Sequence, residues 1–352
     1  MTSLHEPEAT RTAAPPGLRM PAEWEPHERC LVAWPTRDAL WRQHAEEAKR
    51  EYAALIAAIA RFEPVLAIAA PGREAEVRAY CGSAVETIEL PIDDSWIRDS
   101  GPIFVVGPDG RRAAVDFRFN AWGERFHPYA DDDRLPERLL AALGVARIAS
   151  PMVLEGGSIT VDGEGTLITT EQCLLNPNRN PEWSREQIEA ELRRCLGVQT
   201  IIWLPYGAGE DSMTDGHVDG VCSFVRPGVV LLQAEADPAS PYHARHQVNR
   251  QRLEAARDAR GRRLEIIDIP QMAFAEVDGA PIRVPLANVY LANGGVVAPV
   301  PPEQPAAAWL AVLAEVFPER EIVPVPMRVL PWNGGAIHCV TQQVPAAGGG
   351  HG

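Results

Sequence analysis

The chain has 352 residues, 46% of them hydrophobic and 23% charged, with 33 Lys and Arg against 48 Asp and Glu and a formal net charge of −15. That composition suits a folded globular protein with a large core, of roughly one to three domains on length alone. The acidity argues against nucleic acid or an anionic membrane as partner and favours a cationic small molecule, although it serves solubility equally well.

In chain order, residues 1–18 are rich in Ala, Pro, Thr and charge with no apolar signal-peptide core, and they read as a flexible N-terminal tail rather than a secretory signal. Residues 19–345 read as one domain and residues 346–352, which include Gly348-Gly349-Gly350, as a second tail. No apolar run approaches membrane-spanning length, so a soluble, cytoplasmic protein is expected.

Within the domain a helix over Asp38–Arg61 feeds a strand over Val65–Ala69. Asp109-Gly110 then separates Ile103–Val106 from Ala113–Phe117, a hairpin signal, and a helix over Pro136–Leu143 follows. Asp162-Gly163-Glu164-Gly165 separates Ser158–Val161 from Thr166–Thr170; next come a helix over Ser184–Leu196, opened by a Ser184/Gln187 capping box, and a strand over Gln199–Leu204. Arg226-Pro227-Gly228 turns Val221–Val225 into Val229–Gln233, ahead of a helix over Pro241–Arg260 and a strand over Leu264–Ile269. Asn293-Gly294-Gly295 turns Asn288–Ala292 into Val296–Val300, ahead of a helix over Glu303–Phe317 and a strand over Glu321–Val325. Hairpins recur every fifty to seventy residues or so, a repeat-like period. Five ββαβ units would fill the chain, with the strand after Cys339 returning beside the first. A doubly wound α/β sheet is the competing arrangement, and the many hairpins disfavour it because parallel strands need crossovers.

The six cysteines form no C-x-x-C pair, so a zinc knuckle or thioredoxin motif is absent. Cys339 alone stands behind two glycines, Gly334-Gly335, and ahead of Thr341-Gln342-Gln343. Glycines admit close approach of backbone and substrate, which places this thiol as a nucleophile that needs acid–base partners. Asp94–Pro102 supplies Trp96 and Asp99, an aromatic face and a carboxylate of the kind that holds a planar cation. Glu155 precedes Gly156-Gly157 at another strand mouth. In Asp215-Gly216-His217-Val218-Asp219 an extended backbone would align both acids with the histidine. That alignment fits an acid/base His217 with a carboxylate beside it, or a metal held by Asp215, His217 and Asp219. Read singly, each segment fits an ordinary polar turn. Together they put one thiol, one histidine and several carboxylates at strand mouths, a cluster that repels itself unless a cation such as a guanidinium is bound.

The segments Met20–His27, Asp94–Pro102, Asn120–Gly123, Leu154–Ser158, Asn176–Pro181, Asp215–Asp219 and Ile337–Gln343 resemble those of the agmatine deiminases, over about Met20 to Pro345. These enzymes are guanidino-group-modifying proteins related to the bacterial-type peptidylarginine deiminases. The resemblance implies a pentein fold, a five-bladed α/β propeller of ββαβ modules with pseudo-fivefold symmetry. It also implies hydrolysis of agmatine to N-carbamoylputrescine and ammonia for putrescine and polyamine synthesis, with no metal and no organic cofactor, in a homodimer. By resemblance Cys339 is the nucleophile, His217 the general acid/base, Asp99 and Asp219 the grips on the guanidinium, Glu155 a neighbour of His217 and Trp96 a pocket wall. Free or peptidyl arginine is the alternative substrate on the same chemistry. Three positions depart from the family's usual pattern: Ala336 stands where Asn is common, Trp332 where small residues are, and Gly220 where Asn is frequent. The first two border the nucleophile and bear on the pocket for the substrate tail.

Overall fold

The computed structural model describes residues 14–208, 213–240, 242–270, 273–303 and 306–347. Its class is mixed α/β. Five of its six sheets share one pairing pattern: a first strand runs antiparallel to a second, which is parallel to a third reached through a helical crossover. They comprise Ile103–Val106, Arg112–Arg118 and Ala146–Val153; Ile159–Val161, Thr166–Thr170 and Thr200–Leu204; Cys222–Arg226, Val229–Ala234 and Glu265–Pro270; and Tyr290–Ala292, Gly295–Val300 and Glu321–Pro326. The remaining one joins His27–Ala33, Val65–Ala69 and Glu86–Glu89, and its antiparallel strand is Thr341–Pro345, so that Val32 faces Thr341 and His27 faces Pro345. Among the described residues no ladder joins one sheet to the next. A doubly wound parallel sheet is thereby excluded.

Local chemistry accounts for the elements. Gly110 and Gly294 adopt φ of 74° and 81°, the left-handed region that tight hairpins demand. Asp162 Oδ1 accepts from the Glu164 and Thr166 N–H groups, both at 2.8 Å, and holds the next hairpin. The helix Arg185–Leu196 has its capping box at Ser184 and Gln187 and ends on Gly197 at φ 69°. Apolar faces of helix and sheet meet in separate cores, one around Trp34, Trp41, Tyr52 and Ile59, another around Val105, Val115, Leu192 and Leu196.

Several boundaries differ from the sequence reading. The segment 38–61 breaks into Asp38–Trp41, a 3-10 turn at Arg42–His44 and Ala45–Ile59, because Trp41 turns into the core against Tyr52 and Trp96 and Arg42 takes φ 50°. The helix expected to reach Arg260 is His243–Ala255; the Asp258 carboxylate then captures the Arg260 and Arg262 N–H groups in a turn. Its expected first residue, Pro241, and residues 304–305 of another expected helix, observed as Ala307–Val316, lie outside the described residues. A hairpin of Ala273–Val277 and Ala280–Val284 stands apart from the five repeated sheets. Of the two expected tails, residues 1–13 and 348–352 also lie outside the described residues, whereas Leu18 is buried and Arg19 bridges Val106. No described helix is long and apolar enough to cross a membrane.

Candidate active site

Five turns, each ahead of the antiparallel strand of one repeated sheet, carry the polar residues of one cleft. They are Asp99 before Ile103, Glu155 before Ile159, His217 and Asp219 before Cys222, Asn288 before Tyr290, and Cys339 before Thr341.

Cys339 lies in a 3-10 turn, His338–Val340, tied down by the Thr341 hydroxyl, which reaches the carbonyls of Ile337 and His338 at 2.9 and 3.1 Å. Its sulfur is 3.4 Å from Asn288 Oδ1 and 3.7 Å from Asp219 Oδ2. Asn288 fixes both neighbours at once. Its Oδ1 accepts from the His338 and Cys339 N–H groups at 2.9 and 3.2 Å, and its amide nitrogen donates to Asp219 Oδ2 at 3.2 Å. Burial pushes the thiol well above its ordinary pKa, and Asp219 and Asp99 push it further.

His217 is buried, with Nδ1 3.7 Å from Asp99 Oδ1 and Nε2 3.9 Å from Glu155 Oε2. Burial alone would lower its pKa, but Asp99, Cys173 and Glu155 outweigh that and hold it well above the usual value. Asp99 accepts from the Gly157 N–H at 3.0 Å and the Trp122 indole N–H at 2.9 Å. Burial raises its pKa to about 6, with Asp219 and Glu155 adding to the rise and His217 opposing it. Asp219 is also buried, yet its pKa is lowered, chiefly by the hydrogen bond and charge of His338. Glu155 is likewise lowered against its burial by Arg179, whose Nε donates at 2.6 Å.

Two glycines make this convergence possible. A Cβ on Gly157 would stand 2.6 Å from His217 Nδ1, 2.8 Å from Asp99 Oδ1 and 3.0 Å from Asp219 Oδ2. One on Gly335 would stand 2.4 Å from Trp96 Cζ3 and 3.2 Å from the Cys339 sulfur. The cavity beside Gly335 encloses about 410 Å³, part of it open to solvent, and is lined by Trp96, Trp122, Phe126, Met213 and Cys339. Its charged lining residues, among those described, are both carboxylates: Asp99 and Asp94, the latter raised by burial to about 6 despite Arg37 Nε at 3.2 Å.

The residues singled out in sequence thus meet, with one correction. The run from Asp215 is not extended. Asp215 takes φ 60° and Val218–Gly220 form a 3-10 turn, so Asp215 points away to Arg179 Nη1 at 2.8 Å, Asn178 at 2.9 Å and Arg125. An Asp215–His217–Asp219 metal set is therefore not assembled. Glu155, Cys173 and His217 do lie within 4.8 Å of one another, but the Arg179 guanidinium on Glu155 opposes a cation there. Of the three departures, Ala336 is fully buried just before the Cys339 turn, Trp332 meets His44 edge-on and lies under Arg42, and Gly220 faces Ala208; none of the three lines the cavity itself.

Asn288, Trp122, Arg179 and His338 were not assigned from sequence. Asn288 was findable, because it holds the same place before its strand as the other four. Trp122 depends on a left-handed backbone at Trp122 and Gly123, φ 56° and 87°, held by Asn120 Oδ1 accepting from the Gly123 N–H. No local pattern announces it.

The family model of the Porphyromonas-type peptidyl-arginine deiminases matches residues 19–345. An agmatine deiminase of Pseudomonas aeruginosa (strain LESB58) is 44% identical, over 96% of this chain and 98% of its own length. One of Stutzerimonas stutzeri (strain A1501) is 45% identical over the same shares. The structure of the Enterococcus faecalis agmatine deiminase superposes with a TM-score of 0.90 at 31% identity, covering 96% of this chain and 99% of the other.

Proposed function

The chain belongs to the Porphyromonas-type peptidyl-arginine deiminase family, and from that premise we propose that it hydrolyses agmatine to N-carbamoylputrescine and ammonia, a step of putrescine and polyamine synthesis. One observation favours agmatine over arginine within this chemistry. Every charged residue lining the described cavity is a carboxylate, which suits a substrate cationic at both ends and offers an α-carboxylate no partner.

In this reading Asp99 and Asp219 take the guanidinium nitrogens and Trp96 walls the planar group. The arriving positive charge lies beside the sulfur and favours the thiolate that the empty site suppresses, the thiol proton passing to solvent. The thiolate attacks the guanidino carbon, forming a C–S bond and a tetrahedral centre, a step that positioning accelerates. His217, held protonated by Asp99 and Glu155, gives its proton to one nitrogen; that C–N bond breaks and ammonia leaves an amidino-thioether. His217, now neutral, takes a proton from water as the water adds to the same carbon. Collapse breaks the C–S bond, releases the ureido product and returns the proton and the thiol.

The finer architecture belongs to the same proposal: one catalytic domain over residues 19–345 between two tails, folded as a closed five-bladed pentein propeller. Support comes from the five sheets of one topology and the strand Thr341–Pro345 completing the first of them. Cytoplasmic residence stands in the proposal as the sequence reading gave it, a homodimer is carried by the resemblance alone, and light scattering of the purified protein checks the latter. The test of function is incubation with agmatine, arginine and a blocked arginine ester, reading ammonia and ureido product. Agmatine is expected to be turned over fastest and Cys339→Ala to be inactive. Faster arginine turnover overturns the substrate, and full activity of Cys339→Ala overturns the mechanism.

A further inference from the structure

The segment Met20–His27 has no part in the chemistry above, yet it sends Glu23 to the back of the nucleophile. Glu23 Oε2 is 2.9 Å from His338 Nε2, and His338 Nδ1 is 2.8 Å from Asp219 Oδ2. A neutral imidazole has one N–H and can donate to only one of two flanking carboxylates. With Glu23 and Asp219 both held ionised, short contacts from both ring nitrogens to carboxylate oxygens call for an imidazolium. The same Asp219 oxygen that takes the ring N–H lies 3.7 Å from the Cys339 sulfur.

We propose that His338, clamped as an imidazolium between Glu23 and Asp219, is a positioning residue for the nucleophile. It fixes the Asp219 carboxylate beside the sulfur and supplies the positive charge that lets Cys339 ionise there. The inference rests on the reading of Cys339 as the nucleophile.

The groups around His338 support this. Glu23 is anchored by the Leu291 N–H at 2.9 Å and faces Arg98 at 3.7 Å; Arg98 Nε donates to the His338 carbonyl at 3.2 Å, and Asn288 holds the His338 N–H. Glu23 and Asp219 are balanced by His338 and Arg98, so this ring of charges is neutral before the thiolate forms. Removing the imidazolium charge leaves an uncompensated carboxylate against the sulfur. Burial and Arg98 work against a protonated ring, but the two carboxylates prevail and its pKa stands above the usual value. Glu23, by the same pairing and despite its burial, is held down to about 2.

The test is the rate at which iodoacetamide alkylates Cys339 as a function of pH, followed by mass spectrometry on the full chain without substrate. His338→Gln should move the midpoint up by about one pH unit or more, since an opposite charge at this range shifts a pKa by that much. The isosteric Glu23→Gln should move it in the same direction by less, and the double variant no further than His338→Gln alone. In agmatine turnover the alkaline limb of kcat/KM should fall at lower pH in Glu23→Gln, because the ring loses its proton sooner. An unchanged alkylation midpoint in His338→Gln overturns the proposal. Should that variant fail to fold, an unchanged midpoint in Glu23→Gln overturns it equally. If the wild-type protein does not turn over agmatine, the functional reading fails, and the alkylation series still decides the role of His338.

Discussion

Gly157 is the residue at which the site is most crowded, with three functional atoms inside van der Waals reach of its missing Cβ. Gly157→Ala should therefore lower kcat/KM by about a hundredfold or more, since displacements near 1 Å cost that much in positioned chemistry. Its thermal unfolding should move far less than its activity, and steady-state kinetics beside a melting curve check both. Asp99 makes a second prediction. Its pKa is raised to about 6, so it is neutral below that pH and ionised above it. A neutral Asp99 loses its grip on a guanidinium, and kcat/KM should fall as pH drops through about 6 while the Asp99→Asn variant shows no such limb. A carboxylate in an ordinary setting would place the limb near 4.

At the scale of the element, each turn before an antiparallel strand holds a side chain in the cleft, and buried polar contacts hold the turn. The Asn176–Pro181 segment does so for two of them, through Arg179, which pairs with Glu155 at 2.6 Å and Asp215 at 2.8 Å with no exposed side-chain surface. Arg179→Met takes the guanidinium from buried Glu155, leaving it only His217 at 3.9 Å, and should destabilise the protein by about 3–5 kcal/mol, measured by urea unfolding. A shift within experimental error would show that Glu155 finds another partner. The hairpins were legible in sequence because Gly110 and Gly294 sit at positions that need a left-handed backbone, and local chemistry decides such turns. The convergence of Cys339, His217, Asp99, Asp219 and Glu155 was legible because each lies near a glycine ahead of a strand. The direction of Asp215 was not, because a single left-handed φ reverses it. The Glu23–His338 contact was not either, since it joins positions 315 residues apart that no periodicity links.

For the whole molecule, a net charge of −15 places a dicationic substrate in an attractive field. Salt screens that field, with a Debye length of about 10 Å at 0.1 M and about 3 Å at 1 M. kcat/KM for agmatine should fall several-fold across that range with kcat nearly constant, and a singly charged alkylguanidine should respond less. Equal responses would place the attraction in the pocket alone. The strand Thr341–Pro345 has a further consequence. It pairs with His27–Ala33, near the other end of the chain, and follows the thiol directly, so the placing of Cys339 beside Asn288 and Asp219 is tied to the pairing of the two ends of the fold. During refolding such a distant pairing carries a large loop-closure cost and comes late. Recovery of turnover is thus expected to lag behind recovery of secondary structure, and a chain stalled before that pairing is expected to hold its Cys339 thiol without the neighbours that would activate it.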